Sequence, residues 1–391
     1  MAKTGNDDLA VLVCEVLANN PELAMWEERW AADEAEAGSP ATLGPTKLSY
    51  AFAPASIPPG GVAYGQVVTL EQSFRLAQRG IESRAMRARA AADAHDWEAQ
   101  RQEMTRLVSS LYAEYYASTR ALEINAAHAA LVRDLHELAL TTYAAGRGRQ
   151  QDPIAAELEL AHVEHERLLL EAQRDVVVAQ INGLRGRDPG DALPEPPLRL
   201  GADEADHSSA AVRPELEAAQ ARTEASAHDV TVARRRFVPS LSAMASYNSM
   251  WHSTAHQFMV GVGVSIPLQI SSMRSRVDAA QARERVEARR TEAIEDRVAV
   301  EQHVADRRLD AALQVVEVHE QRLIPSARDR AEATQVAYET GEAPFNDVIE
   351  AERELRRLEL DAERARASVL TERANLHRAE GVAAACEGGS R

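Results

Sequence analysis

Three short segments carry side chains that could bind a metal ion or a phosphate group. Residues 162–166 (HVEHE) place two histidines beside carboxylates, and residues 251–256 (WHSTAH) place two histidines in a predicted hairpin loop. The first spacing does not match the pattern of zinc proteases, so a solvated helix face is the favoured interpretation. A metal-exit site at 251–256 is the less favoured alternative there. Residues 146–149 (GRGR) lack the G-x-x-x-x-G-K pattern of a phosphate loop.

No set of residues in the sequence has the types and spacing of a catalytic site. We therefore predict that the protein is not an enzyme and that it holds no cofactor and no metal. Two acids stand out for another reason. Asp347 and Glu350 are three residues apart and would share one face of a helix.

These acids belong to a stretch that occurs twice in the chain. Residues 143–186 recur without a gap as residues 338–381, at an offset of 195. Both copies contain a Y-x-x-G turn followed by an acidic amphipathic helix that ends at glycine. The matched pairs are Tyr143 and Tyr338, Gly146 and Gly341, Asp152 and Asp347, and Gly186 and Gly381. Because the offset is half of the chain, we predict one structural unit used twice.

Composition favours long helices over a compact enzyme. The 391 residues are rich in Ala, Glu and Arg, with only 4% aromatic residues. The net charge of −17 argues against a nucleic-acid partner, which needs a basic surface. The two cysteines, Cys14 and Cys386, form no CxxC pair, and we predict a free thiol at each.

The chain has no apolar run of 18 residues and therefore no predicted transmembrane helix. The first residues are acidic where a signal peptide would be basic, so no signal peptide is visible. Residues 9–19 are predicted to be a helix, and a second helix is predicted after Asn20, a helix-capping residue followed by proline.

Helix and strand patterns predict two repeats of the same order. The first, residues 1–195, has a helix, a β-hairpin at 46–74, a long helix at 81–145 and a return helix at 153–186. A linker follows at 196–212. The second repeat, 213–381, has a helix, a β-hairpin at 240–270, a long helix at 274–340 with a kink at Pro325, and a return helix at 346–381. Residues 382–391 are predicted to be a disordered tail.

One segment has the alternation of a transmembrane strand. Apolar side chains fall on one face and small or less bulky ones on the other. The predicted lipid-facing residues are Phe258, Val260, Val262, Val264 and Ile266. Four strands cannot close a barrel in lipid, since open edges would leave backbone groups unpaired. Three copies would supply twelve strands, with the long helices forming a helical barrel below them.

The motifs are similar to those of the TolC-type outer-membrane efflux proteins, or outer membrane factors. The resemblance rests on these motifs: NPEL and RPEL at two helix starts, FVPSL at 237–241, GVGVSIPL at 261–268 and YETG…DVIEAEREL at 338–355. The strand-to-helix segments resemble the heavy-metal efflux branch. The resemblance implies a mainly α fold with a small β part: a long α-helical barrel plus a transmembrane β-barrel completed by trimerisation.

The same resemblance implies a function and partners. The protein would be a passive homotrimeric exit duct in the outer membrane that extends into the periplasm. It would contact outer-membrane lipid, a periplasmic adaptor (membrane fusion) protein and an inner-membrane pump of the RND type. Heavy-metal cations would be its cargo. A cytosolic coiled-coil scaffold is the alternative, and the alternating strand argues against it because a scaffold needs no lipid-facing strand.

The resemblance also assigns roles to the helix turns. Asp347, Glu350, Tyr338 and Asp152 are implied to form the periplasmic gate. Gly146, Gly341 and Tyr143 are implied to form the turn that docks the adaptor. The basic residue often found two positions after the turn glycine is replaced by Ala343. The alternative role for Asp347 is an acid favoured by the helix dipole.

Overall fold

The structure is a computed structural model that describes residues 5–38, 44–53, 65–74, 77, 80–198, 212–251, 253–383 and 386. In this part of the chain the helices are α1 (Gly5–Asn19), α2 (Pro21–Ala37), α3 (Ile81–Ala144), α4 (Gln151–Leu184), α5 (Pro214–Arg235), α6 (Thr254–Gln257), α7 (Ile270–Val318), α8 (Ile324–Glu339) and α9 (Phe345–Glu380). The strands are β1 (Lys47–Ala53), β2 (Gly65–Phe74), β3 (Ser240–Asn248) and β4 (Phe258–Ser265).

These elements form two compact units, each built from both halves of the chain. The turn unit contains Met1–Ala24, Ala99–Arg213 and Arg297–Arg391, and the sheet unit contains Met25–Glu98 and Pro214–Asp296. The prediction of two sequential repeats is not tested by this division and stays a prediction. Most of the predicted linker at 196–212 lies outside the described residues.

The main apolar core of the turn unit joins α1, α3 and α4. Val16, Val108 and Ile181 are fully buried in it, and Tyr112 packs beside them. At the end of α1, the Asn20 side-chain oxygen accepts hydrogen bonds from the backbone N–H of Glu22 at 2.9 Å and Leu23 at 3.3 Å. Asn20 therefore caps α2 as predicted, because it satisfies N–H groups that have no partner within the helix.

The sequence predicts one long helix at 274–340 with a kink at Pro325. In the structure this segment is divided into two α-helices. A π-helical turn over His319–Leu323 separates α7 from α8. Pro325 lies two residues after this turn and has no backbone N–H to donate to the preceding turn. The wider turn accommodates the missing hydrogen bond, so the predicted kink takes the form of a π turn.

The sheet unit contains a four-stranded antiparallel sheet in the order β1-β2-β3-β4. The predicted hairpin at 46–74 is present, with residues 54–64 outside the described part of the chain. The hairpin predicted at 240–270 is shorter, since β4 ends at Ser265. Pro267 cannot donate to a strand ladder, and Ile266 therefore lies just beyond the strand instead of within it.

The predicted free thiols are wrong. Cys14 in α1 and Cys386 near the chain end form a disulfide with a Cα–Cα distance of 5.5 Å. The two residues are 372 positions apart, so no local spacing motif could have indicated the bond. The predicted disordered tail mostly lies outside the described residues, but Cys386 is covalently anchored to α1.

Among the described residues, no helix is both long enough and apolar enough to cross a membrane.

Candidate functional site

The two helix turns of the turn unit line one cleft of about 760 Å³, which we call the turn cleft. The α3–α4 turn contributes residues 147–149 and Asp152. The α8–α9 turn contributes Tyr338 and residues 339–345. The turn cleft therefore combines equivalent parts of the two sequence copies.

The two turns have the same backbone hydrogen bonds, 195 residues apart. In the first, the N–H groups of Arg147 and Gly148 donate to the Thr142 carbonyl at 3.0 Å each. In the second, the N–H groups of Glu342 and Ala343 donate to the Ala337 carbonyl at 2.8 and 3.1 Å. The two matched turn segments therefore have the same backbone hydrogen bonding.

Glycine is required at one position in each turn. Gly146 has φ of 73° and Gly341 has φ of 81°, a left-handed conformation that places the helix end in a Schellman-type cap. An L-residue with a Cβ would be conformationally strained at this φ. The predicted docking glycines are therefore explained by backbone geometry alone.

The two matched aspartates have different environments. Asp152 is 6% exposed, and its side chain accepts a hydrogen bond from the backbone N–H of Arg149 at 3.2 Å. Asp347 is exposed, and the residue equivalent to Arg149 is Pro344, which has no N–H. Asp152 is a structural cap, whereas Asp347 is free to face solvent or a partner.

The matched tyrosines differ as well. Tyr338 packs edge-on against Phe345 with ring centres 5.2 Å apart, whereas Tyr143 is exposed. Burial raises the pKa of Tyr338, and the negative charge of Asp152 raises it further. The Thr142 side chain lowers this pKa, but by less. Tyr338 and Asp152 therefore line the same cleft and are close enough to interact electrostatically.

A buried polar layer joins α3, α4 and α9 away from the turns. The Glu159 carboxylate is 1% exposed, accepts a hydrogen bond from Arg353 Nε at 2.6 Å and lies 3.3 Å from His128 Nε2. Burial alone raises the pKa of Glu159, but its bonds with His128 and Arg353 outweigh burial and lower it to about 2. The Glu159–Arg353 ion pair therefore connects the first copy to the second.

The charged residues of the turn cleft were missed in the sequence analysis. Arg147 and Glu342 are at equivalent positions of the two turns and have opposite charges. Arg149 lies on the first turn and Glu339 at the second. A comparison of charges at matched positions, in addition to matched turn residues, would have found them.

The structure brings some of the predicted gate and docking residues together. Tyr338, Asp152 and Gly341 line the turn cleft, and Gly146 and Tyr143 lie in the turn beside it. Asp347 and Glu350 lie in the first turns of α9 with both side chains exposed. Their assignment to a gate stays a prediction.

The β3–β4 part of the sheet has one apolar face and one face of mainly small and polar residues. In β4, Val260 and Val262 are 89% and 88% exposed, and Phe258 and Val264 lie on the same face. Their partners across the ladder are Tyr247, Ala245, Ala243 and Leu241, which extend the apolar face onto β3. The opposite face carries small and polar residues together with two methionines: Ser240, Ser242, Ser246, Gly261, Gly263, Met244 and Met259. An exposed apolar face of this size needs lipid or protein against it.

The histidine segments do not form a metal cluster in the described residues. His162 and His165 are exposed, and Glu166 pairs with Arg356 instead. In the second segment His256 is exposed, and His252 lies outside the described part of the chain.

Residues 207–382 match the family model described as Outer membrane efflux protein. No curated protein sequence matches the chain. The fold is similar to that of the outer-membrane channel OprN, with a TM-score of 0.84 and 20% identity over 96% of this chain and 90% of that chain. For the outer membrane protein VceC of Vibrio cholerae the TM-score is 0.82, with 20% identity over 95% and 96% of the two chains.

The CmeC outer membrane channel of Campylobacter jejuni is also similar, with a TM-score of 0.81 and 16% identity over 96% of this chain and 85% of that chain. These likenesses confirm the predicted fold class of long helices with a small strand part. Residues 207–382 thus match an outer membrane efflux protein model, and the chain as a whole has a fold similar to that of solved outer-membrane channels.

Proposed function

We propose that this protein is the outer-membrane channel of a tripartite efflux pump, a passive duct without enzymatic activity. The observation that carries the proposal is the two-faced sheet. In the described part of the chain, β1 and β4 each pair with one strand only. Their outer edges therefore need further strands if the apolar face is to enter a membrane.

Three copies would complete this arrangement. Each chain supplies four strands, so a homotrimer would form a twelve-stranded barrel in the outer membrane, and the helices would extend into the periplasm. Protein purified in mild detergent should have a mass of three times 42.7 kDa and should form ion-conducting pores in planar bilayers. A stable, non-conducting monomer would contradict the proposal.

The assignment of sheet faces has a matched pair of tests. Val262→Arg places a charge on the proposed lipid face and should block insertion, since this costs roughly 2–4 kcal/mol per chain near mid-bilayer. Gly263→Arg places the same charge on the opposite face and should insert with lower conductance. Equal membrane insertion of the two variants would show that the faces are wrongly assigned.

We further propose that Asp347 and Glu350 form the periplasmic gate, together with Tyr338 and Asp152. Both α9 acids are exposed, so a trimer could present rings of three carboxylates to its pore. Divalent cations should bind these rings and block the wild-type channel. The variant Asp347→Ala/Glu350→Ala should lose this block and should have a higher single-channel conductance.

The matched control for the gate uses two exposed acids at the same spacing on α8. Asp329→Ala/Glu332→Ala removes equal charge away from the turns. If both double variants relieve the block to the same extent, general surface charge and not a gate controls conductance.

The partners are proposed at a finer level from the family resemblance. Gly146, Gly341 and Tyr143 would dock a periplasmic adaptor, and an RND-type inner-membrane pump would supply energy. Heavy-metal cations are the proposed cargo. Expression of the complete pump should raise the metal concentration that cells tolerate, and tolerance to organic antibiotics without tolerance to metals would exclude this cargo.

A further inference from the structure

The turn cleft has charges that the chain does not use internally. Arg147, Arg149 and Glu342 line it, and in the described residues none of these three side chains forms an ion pair. Elsewhere in the turn unit the two copies pair their charges across the chain, as Glu159 does with Arg353 and Glu103 with Arg378. The chain thus has free charges where its two turns meet.

The exposed charged side chains that line the turn cleft have opposite signs on the two turns. The first turn presents Arg147 and Arg149, and the second presents Glu342 and Glu339. Because the hydrogen bonding of the two turns is the same, Arg147 and Glu342 occupy equivalent places in the motif. The backbone is duplicated, but its charge is reversed.

We propose that the turn cleft is a dipolar docking surface for a protein partner. The partner's docking segment would place an acidic side chain against Arg147 and Arg149, and a basic side chain against Glu342 and Glu339. A simple anion or a nucleic acid would be attracted to the arginines but repelled by the glutamates. A protein segment with both charges satisfies both sides of the cleft.

This inference rests on the proposed function, in which the partner is the periplasmic adaptor, and it specifies what that adaptor must carry. Charge pairs at the rim of an interface mainly affect the association rate and its salt dependence. The duplicated turns are therefore not interchangeable, since each recognises a different charge. Reversed polarity would fix the orientation in which the adaptor docks.

The test measures binding of the purified periplasmic adaptor of the proposed pump to the detergent-solubilised trimer by surface plasmon resonance, at low and high salt. Arg147→Glu and Glu342→Arg should each weaken binding about tenfold at low salt, with a smaller effect at high salt. The combined variant Arg147→Glu/Glu342→Arg should bind more weakly still, about a hundredfold, because separate contacts add.

The combined variant separates this proposal from self-pairing. If the two charges served each other, or a second copy of the chain, exchanging them would restore wild-type behaviour. Recovery of wild-type affinity would therefore overturn the proposal. The control variants Arg330→Glu and Glu332→Arg reverse exposed charges on α8 outside the cleft and should change affinity less than twofold.

The outcomes also separate this inference from the channel itself. Wild-type binding with no effect of the cleft variants would overturn the docking surface and leave the adaptor assignment intact. No wild-type binding would overturn both, whereas pore conductance would still decide whether the protein is a channel. Unchanged trimer mass and circular dichroism of each variant would show that it is folded.

Discussion

The α3–α4 and α8–α9 turns are the same backbone with different side-chain tasks. Both end a helix at a left-handed glycine and close it with the same hydrogen bonds. In the first copy the aspartate is buried as a cap, whereas in the second it is exposed. The same turn backbone can therefore hold an aspartate in a structural role in one place and present an exposed acid in the other.

Among matched positions of the two copies, substitutions at Glu159 and its equivalent, Glu354, should differ most in their effect on the free energy of unfolding. Glu159→Gln should lower the free energy of unfolding by roughly 2–3 kcal/mol, because Arg353 and His128 lose a buried anionic partner. Arg353 is half exposed, which keeps the cost below that of a fully buried pair. Urea unfolding of the trimer measures the change.

The matched variant Glu354→Gln should cost about 0.5 kcal/mol or less. Glu354 is half exposed and pairs at 3.6 Å with Arg357 on its own helix. Equal costs for the two variants would contradict the distinction between a buried and a surface pair.

The effect of Glu159 should also depend on pH. The pKa of Glu159 is lowered in the folded protein to about 2, from an ordinary value of 4.5. Its stabilisation is therefore fully present above pH 4.5 and is lost as the pH falls towards 2. The difference in unfolding free energy between wild type and Glu159→Gln should narrow over this range, and a constant difference would exclude ionic stabilisation.

Substitutions of the two matched aspartates should differ to an intermediate extent in their effect on the free energy of unfolding. Asp152→Ala should cost about 1–2 kcal/mol, since it removes the acceptor for the Arg149 N–H. Asp347→Ala should change the free energy of unfolding by no more than about 0.5 kcal/mol, because Pro344 offers no N–H to cap. Thermal unfolding of both variants under one set of conditions would reveal a reversed order if Asp347 were the true cap.

The smallest difference is expected at the turn glycines. Gly146→Ala and Gly341→Ala should each cost about 1 kcal/mol and agree within about 0.5 kcal/mol, because both residues have positive φ. A Cβ at either position meets no atom within 4 Å, so the cost is conformational and not steric.

Gly183→Ala is the control for the glycine pair. Gly183 lies inside α4, also has open space around a Cβ and has no positive φ. This change should be neutral or stabilising, because alanine favours a helix over glycine. Destabilisation equal to that of the turn variants would mean that left-handed backbone is not the cause.

Sequence patterns predicted the elements of this fold well, because periodicity and turn chemistry are local. The long helix predicted at 81–145 is α3, and Gly146 and Gly341 end their helices as expected. The alternation from Phe258 to Val264 also predicted the apolar face of β4. In each case the signal lies within a few residues.

The features that sequence did not reveal depend on residues far apart in the chain. Glu159 meets Arg353 across 194 positions, and neither residue type alone indicates a buried pair. The Asp152 hydrogen bond is local, but it depends on whether Arg149 or Pro344 stands three residues earlier, a difference that matching the aspartates alone does not reveal. A matched residue in a repeat therefore predicts backbone conformation better than environment.

The disulfide between Cys14 and Cys386 gives the chain an unusual covalent topology. The peptide backbone between the two cysteines and the bond itself form a closed ring that contains almost the whole protein. A single peptide-bond cleavage at any point of this ring would leave the fragments joined. The two fragments of such a nick would separate on denaturing electrophoresis only after a reductant is added, so one proteolytic cut would not release either half of the protein.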